Sequence, residues 1–260
     1  MGISPPRDVS LAGATPLAVR IIEPAAPARG AFLHFHGGGF VFGTPAMADA
    51  ANSALATHCG LATLSVDYRL APAHPHPAAV DDGERAAAWL IEQSMARFGT
   101  ARLQIGGDSV GASLAVLVLL RLRARGLALR FSGAVLNVGS YDFSGTPSQR
   151  ASTDALFLSP ERLRATRGSA FPGLDREALR DPSISALYAD LRGLPPALFS
   201  VGTNDAVCDD SLFMAARWEQ AGNRTELAVY PGATHLFLGE QNEQAGKARA
   251  RIVAFLNACA

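Results

Sequence analysis

Short apolar runs alternate with helical stretches along most of this 260-residue chain. Such alternation is typical of a mostly parallel β-sheet that is covered by helices on both faces. Several runs are apolar at every position, as expected for strands buried on both sides. The predicted strands are Leu17–Ile22, Ala31–Phe35, Ala62–Val66, Leu103–Gly106, Gly133–Val138, Ala197–Val201 and Glu226–Tyr230. We therefore predict an α/β fold.

The stretches between these runs carry apolar residues at helical spacing. Ala86, Trp89 and Leu90, for example, form one apolar stripe. The predicted helices are Ala46–His58, Ala78–Phe98, Gly111–Arg125, Asp209–Ala221 and Gln241–Asn257. Because single α/β domains often reach this length, we expect residues 1–260 to form one domain.

Residues 141–191, called the cap segment below, interrupt the alternation. Ser159 and Pro160 are typical of the start of a capped helix, and a second short helix is predicted to begin at Asp175. A long insertion between sheet elements can cover a binding site. We expect a partial cap over the sheet.

A G-x-S-x-G sequence, Gly107 to Gly111, lies between a predicted strand and a strongly helical run. This is the context that a nucleophile elbow requires, in which a sharp turn holds the serine hydroxyl above the sheet. The following helix directs its positive end towards that hydroxyl. Ser109 is therefore the candidate nucleophile.

A serine hydroxyl needs a base that removes its proton. Among the six histidines, His235 lies in a loop just after the last predicted strand, where α/β sheets place reactive groups. His34 lies inside a strand, and His58 ends a helix. His235 is the candidate base, with a surface or structural role as its alternative.

A third residue must orient the imidazole and stabilise its cation. Asp205 follows the strand Ala197–Val201 and completes the chain order serine, acid, histidine of α/β-hydrolases. Asp209 and Asp210 are competing acids, but we expect them in the first turn of the next helix. We therefore favour Asp205.

A sequence of one histidine and three glycines, His36 to Gly39, follows the strand Ala31–Phe35. Glycines let the backbone direct its N–H groups into a pocket, and this motif forms the oxyanion hole of lipases and esterases. A flexible glycine turn is the alternative. The sequence contains neither HExxH nor a P-loop, and no dinucleotide-binding GxGxxG fits its context.

These motifs resemble those of the hormone-sensitive-lipase-like carboxylesterases, bacterial members of the α/β-hydrolase superfamily. The resemblance rests on HFHGGGFVFG, VDYRLAPAHPHPAAVDD, IGGDSVGASLA, DPSISAL, GLPPALFSVGTNDAVCDDS and YPGATHLF, which together extend from about residue 31 to the C-terminus. It implies Ser109, Asp205 and His235 as the catalytic triad. It also implies the N–H groups of Gly38, Gly39 and Val110 as oxyanion donors.

The resemblance carries further expectations and two departures. Asp67 and Arg69 should hold loops behind the site, whereas Asp82 should be a surface or packing residue. Val110 replaces the usual alanine of the family and could narrow the substrate pocket. Members of the family usually carry a longer N-terminal segment, whereas residues 11–22 here read as strands, so we expect a reduced cap.

We thus predict a serine carboxylesterase that hydrolyses short-chain acyl esters through an acyl-serine intermediate. The same chemistry on an amide, thioester, lactone or acylated natural product is the alternative, and a non-catalytic ligand-binding homologue is a third hypothesis. No cofactor and no metal are expected.

Composition limits the partners and the compartment. Basic and acidic residues balance at 23 each, so neither nucleic acid nor an anionic membrane is indicated as a partner. No apolar run is long enough to span a bilayer. Cys59, Cys208 and Cys259 show no metal spacing, which favours reduced thiols and a cytoplasmic location. The expected partner is a small-molecule ester, and a homodimer is compatible with the sequence.

Overall fold

The computed structural model describes residues 2–11, 16–153 and 158–259. Within these ranges, eight strands form one sheet in the order β1-β2-β4-β3-β5-β6-β7-β8. The strands are β1 (Arg7–Leu11), β2 (Leu17–Ile22), β3 (Gly30–Phe35), β4 (Leu61–Val66), β5 (Leu103–Asp108), β6 (Phe131–Asn137), β7 (Ala197–Gly202) and β8 (Thr225–Tyr230). Strands β3 to β8 run parallel to one another, while β1 and β2 add an antiparallel edge. The predicted α/β class is confirmed.

All seven predicted strands are present, and Leu17–Ile22 has the predicted bounds. The sequence did not predict β1, whose residues alternate between partly buried and exposed until Leu11. Only one face of this edge strand packs on the protein, so its apolar content is low. Residues 12–15, which belong to the stretch 11–22 that was predicted to form strands, lie outside the described residues.

Helices cover both faces of the sheet, as predicted. The helices are α1 (Asp49–Cys59), α2 (Ala78–Phe98), α3 (Val110–Ala124), α4 (Pro147–Ala151), α5 (Pro160–Ala170), α6 (Cys208–Gln220) and α7 (Glu243–Ala258). Residues of α1 and α7 pack together on one face, and residues of α2, α3 and α6 join the main core on the other. The first predicted helix begins later than expected, because a 3₁₀ turn occupies Pro45–Ala48.

Helix α3 is the centre of the main core. Every residue from Val110 to Leu119 is buried, which is typical of a helix that other elements surround on all sides. Burying one leucine or valine side chain contributes about 1.5–3 kcal/mol to folding. The packing of α3 against β5 therefore fixes the start of the helix, where Ser109 lies.

The cap segment contains α4, α5 and short 3₁₀ turns at Ala178–Arg180 and Ala186–Tyr188. Ser159 caps α5 as predicted, since its side chain accepts a hydrogen bond from the N–H of Arg162 at 3.2 Å. The helix predicted from Asp175 is wrong, because only the 3₁₀ turn forms there. Pro182 restricts the residue before it to extended conformations and so opposes a longer helix. Residues 154–157 lie outside the described part of the cap segment.

Cys59, Cys208 and Cys259 are free thiols, as predicted for reduced cysteines. None of the helices in the described residues has the length and apolar content that crossing a membrane requires.

Candidate active site

Ser109 lies in the tight turn between β5 and α3. Its backbone has a φ of 57°, a left-handed conformation that side-chain-bearing residues adopt rarely and mostly at functional sites. A Cβ at Gly111 would overlap the carbonyl oxygen of Phe35, so this turn accepts only glycine at that position. The close backbone approach directs the half-buried serine side chain towards the carboxyl edge of the sheet.

The hydroxyl of Ser109 is within hydrogen-bonding distance of His235. Ser109 Oγ and His235 Nε2 are 2.9 Å apart. His235 is 8% exposed and lies in the loop that follows β8. The nitrogen that could accept the serine proton is therefore already in contact with it.

Asp205 holds the other side of the His235 ring. Nδ1 of His235 lies 3.0 Å from Oδ1 and 2.9 Å from Oδ2 of this carboxylate. Oδ1 also accepts the N–H of Val207 at 3.0 Å. An N–H on Nδ1 thus donates to a fixed carboxylate, which leaves Nε2 as the acceptor.

The competing acids Asp209 and Asp210 occupy the first turn of α6, as predicted. Asp209 accepts the N–H of Ser148 at 2.7 Å. Asp210 is completely buried and accepts hydrogen bonds from the cap segment. Of the three acids, only Asp205 contacts His235 in the part of the chain that the structure describes.

The glycine loop, residues 36–40, follows β3 and lies beside the serine turn. Gly38 has a φ of 118°, and a Cβ there would overlap the carbonyl oxygen of Phe42. Among the described residues, no acceptor takes the backbone N–H of Gly38, Gly39 or Val110. Three donors are thus available near Ser109. Val110 is 5% exposed and packs in the main core, so its side chain offers little surface for a pocket wall.

His36 and Tyr68 fix the base of the glycine loop, a pair that sequence reasoning missed. Their rings stack with centroids 4.3 Å apart, and the hydroxyl of Tyr68 donates to the carbonyl of His36 at 2.8 Å. Burial lowers the pKa of His36 to about 4, so the ring is neutral at neutral pH. Nδ1 of His36 donates to the carbonyl of Gly37 at 2.7 Å.

A second group of polar residues lies next to Ser109. The carboxylate of Asp108 is 3.2 Å from Nε2 of His34 and accepts from Nδ2 of Asn137 at 3.0 Å. Burial acts to raise the pKa of Asp108, but the hydrogen bonds and the charge of His34 outweigh it and leave the pKa below its ordinary value. The sequence does contain an indication of this polar group, because His34, Ser65 and Asn137 are polar residues inside otherwise apolar strands.

Arg69 holds its loop, as the resemblance implies, and its partner is Asp82. Nε of Arg69 donates to Asp82 at 2.8 Å, and Asp82 also accepts the backbone N–H of Arg69 at 3.0 Å. Asp82 is 4% exposed, so of the two expected roles, surface or packing, it has the packing role, and it also helps to hold this loop. The expectation for Asp67 is wrong, because its side chain points outward just beyond the end of β4. Tyr68, the next residue, points inward.

Across the described residues, no group of three or more histidine, cysteine or acidic side chains is arranged to hold a metal ion. The fold and the hydrogen-bonded serine, histidine and aspartate are the features that define the α/β-hydrolase class.

Comparison with known proteins agrees with this class. The model of the α/β hydrolase fold family matches residues 32–239. A carboxylesterase of Mycobacterium tuberculosis is 32% identical over 235 residues, which cover 88% of this chain and 73% of that protein. An ethyl acetate hydrolase of Pseudomonas putida is 32% identical over 231 residues, covering 85% of this chain and 71% of that protein.

Solved structures give the same result. An esterase of Pyrobaculum calidifontis superposes with a TM-score of 0.92 at 29% identity, covering 99% of this chain and 86% of that chain. A thermostable carboxylesterase cloned from a metagenomic library gives a TM-score of 0.91 at 27% identity, covering 99% of this chain and 90% of that chain. The chain therefore belongs to the α/β hydrolase fold family, and its resemblance to the hormone-sensitive-lipase-like esterases is confirmed.

Proposed function

We propose that this protein hydrolyses short-chain carboxylic esters, with Ser109 as nucleophile, His235 as general base and Asp205 as the acid that orients His235. The enzyme is a carboxylic ester hydrolase, like the relatives described above. The observation that carries the residue assignment is the unbroken contact from Ser109 Oγ through the His235 ring to Asp205. A neutral serine hydroxyl reacts slowly with an ester. A base in contact with it accelerates the attack, because the base takes the hydroxyl proton as the new bond forms.

Acylation begins when His235 Nε2 takes the proton of Ser109. A bond forms between Oγ and the ester carbonyl carbon, and the carbonyl oxygen becomes negative. When the intermediate collapses, the bond from that carbon to the alkoxy oxygen breaks, and His235 transfers its proton to the leaving alcohol. Deacylation repeats these steps with water as the nucleophile and releases the carboxylic acid.

The negative oxygen of the intermediate needs donors that are in place before the reaction. We assign this role to the N–H groups of Gly38, Gly39 and Val110. Gly38 and Gly39 come from the glycine loop, and Val110 begins α3, where the helix dipole adds positive potential. The assignment is supported by the absence of another acceptor for these groups among the described residues.

Substitution of Gly38 by alanine tests the oxyanion assignment. The new Cβ would displace the glycine loop, so we expect kcat to fall by about 10²- to 10³-fold. Gly126→Ala is the matched control, because Gly126 also has a positive φ, 72°, but nothing lies within 4 Å of its missing Cβ. A Gly38→Ala enzyme that is folded and keeps kcat close to that of the wild type would contradict the assignment.

A preference for short acyl chains follows from the surface of the cap segment. Helix α5 exposes Glu161, Arg162 and Arg164, so it offers little apolar area to a long chain. We expect kcat/KM for p-nitrophenyl esters to be highest at C2 to C4 and to fall by about tenfold or more by C12. The measurement is a chain-length series at concentrations where every ester is monomeric. Highest activity on C10 or C12 esters would overturn this preference.

We further propose that residues 1–260 form one domain in which the cap segment is a reduced cap. Cytoplasmic location and homodimer formation stay predictions from the sequence. The small-molecule ester remains the expected substrate class.

A further inference from the structure

Asp210 is a buried carboxylate to which the chemistry above gives no role. It lies in the first turn of α6 and is 0% exposed. Four donors converge on its two oxygens, all from the first part of the cap segment. They are the N–H groups of Tyr141 at 2.7 Å and Asp142 at 2.9 Å, the hydroxyl of Thr146 at 2.7 Å and Nε2 of Gln149 at 2.8 Å.

These hydrogen bonds link α6 to the cap segment. A buried carboxylate is strongly unfavourable unless polar partners replace the water that it has lost. The four hydrogen bonds and the favourable end of the α6 helix dipole offset part of this cost. Because every one of these donors belongs to residues 141–149, movement of this stretch would leave Asp210 without them.

The contact continues from this stretch to α5. Oε1 of Gln149 accepts from Nη2 of Arg167 at 2.6 Å. Arg167 lies on α5, next to Thr166. Cγ2 of Thr166 stands 2.5 Å from the place that a Cβ at Gly39 would occupy, so the two residues are in direct contact. Asp210 is thus connected, through Gln149 and Arg167, to the helix that touches the glycine loop.

The other end of this region contacts the loops that carry the acid and the base. Leu158 packs against a cluster that includes Val207, Ala233 and Phe237. Val207 follows Asp205 closely, and Ala233 and Phe237 flank His235. Residues 158–166 therefore extend from the acid and base loops to the glycine loop, across the site.

We propose that Asp210 is a positioning residue, which holds the first part of the cap segment so that α5 remains over the glycine loop. This inference rests on the proposed function of the same site. An acetyl group is too small to depend on a wall provided by α5, whereas a butyryl group extends further from the carbonyl carbon. Substitution of Asp210 should therefore lower the hydrolysis of esters with longer acyl groups more than the hydrolysis of acetyl esters.

The test is Asp210→Asn, in which an N–H group replaces one of the two accepting oxygens. We expect the ratio of kcat/KM for p-nitrophenyl butyrate to that for the acetate to fall about five- to tenfold. Loss of active enzyme lowers both values equally, so a merely structural role leaves this ratio unchanged. We also expect trypsin to cleave after Arg162 and Arg164 about tenfold faster, as measured by mass spectrometry.

Asp175→Asn is the matched control, because Asp175 is an exposed aspartate of the cap segment whose hydrogen bond is to the N–H of Ala178. It should change neither the ratio nor the cleavage rate. If Asp210→Asn does not fold, Arg167→Met is the alternative test of the proposal. We then expect the butyrate-to-acetate ratio of kcat/KM to fall about threefold and trypsin to cleave faster after Arg162. Unchanged ratio or unchanged cleavage in a folded variant overturns the proposal. If the wild type hydrolyses neither ester, the proposed function fails, while the cleavage comparison still tests the role of Asp210.

The pH dependence of cap opening gives a second readout. Burial raises the pKa of Asp210 to about 7, against the lowering effect of its hydrogen bonds. The other titratable groups that face it are Tyr141 and Asp142, Arg167 of α5, and Cys208 and Asp209 of α6. A hydrated aspartate ionises near pH ~3.9. Opening of the cap segment therefore releases a proton and becomes more favourable as pH rises from about 4 towards 7.

Hydrogen exchange measures this opening directly. Between pH 5.5 and pH 7, we expect the protection of the α5 amides, relative to unstructured peptide at the same pH, to fall about tenfold in the wild type. Asp210→Asn should lack this change, because no carboxyl group is left at that position. The same pH dependence in the wild type and in the variant would overturn the role of Asp210.

Discussion

Replacing Ser109 by alanine should lower kcat by about 10⁵- to 10⁶-fold, because the acyl-enzyme can no longer form. The variant should still fold, since the side chain is half-buried and its hydroxyl hydrogen-bonds only to His235 within the described residues. A fluorophosphonate probe should label the wild type on the peptide that contains Ser109 and should not label the variant. Initial rates with p-nitrophenyl acetate, corrected for uncatalysed hydrolysis, give the size of the loss.

Ser113→Ala is the control for this experiment. It removes the hydroxyl of a serine in α3, which donates to the carbonyl of Ser140 and lies in the core. Turnover should stay within about threefold of the wild type, in line with the small effects of substitutions outside the site. Near-normal hydrolysis by Ser109→Ala would refute the assignment of Ser109 as the nucleophile. Fluorophosphonate labelling of another serine would then identify that serine as the nucleophile.

Asp205→Asn should lower kcat by about 10⁴-fold while leaving the fold intact. The amide of asparagine can donate to Nδ1 of His235, and the ring then carries its proton on Nε2. Since Nε2 is the atom that faces Ser109, the base could no longer accept the serine proton. Steady-state kinetics give the loss, and circular dichroism checks the fold.

The neighbouring acid supplies the comparison for Asp205. Asp209→Asn keeps an oxygen that can accept the N–H of Ser148, so we expect kcat within about threefold of the wild type. The two predictions separate the acids that compete in the sequence. If Asp209→Asn lowers kcat more than Asp205→Asn does, Asp205 is not the acid that orients His235.

The sequence was sufficient to select Ser109, Asp205 and His235 as candidates, which the structure places in contact, because each has a local signal. Ser109 lies in a turn whose glycines are required by backbone contact, as Gly111 shows against Phe35. Asp205 follows the buried strand β7 closely and His235 follows the edge strand β8, and the carboxyl ends of parallel strands meet at one edge of the sheet. Strand order and register then complete the geometry, which the sequence alone does not specify.

The residues that support the site were harder to find because their partners are distant in the chain. Asp82 looks like an ordinary helix residue until Arg69 is placed against it. Asp210 matched the expectation of an acid in the first turn of a helix, so nothing in its local sequence indicated four donors from residues 141–149. Such contacts depend on how the cap segment packs, and a pattern of single residues does not report packing between segments.

The tight contact at Gly111 has a consequence for how the substrate range of this enzyme can be altered. The turn that carries Ser109 is held by main-chain contact between Gly111 and Phe35, which leaves no room there for a larger side chain. Helix α5, in contrast, touches the glycine loop through Thr166 and exposes many of its residues. Redesign for other esters should therefore succeed when residues of α5 are varied and every residue of the serine turn is kept. Substrate specificity and bond cleavage are then properties that can be changed separately in this protein.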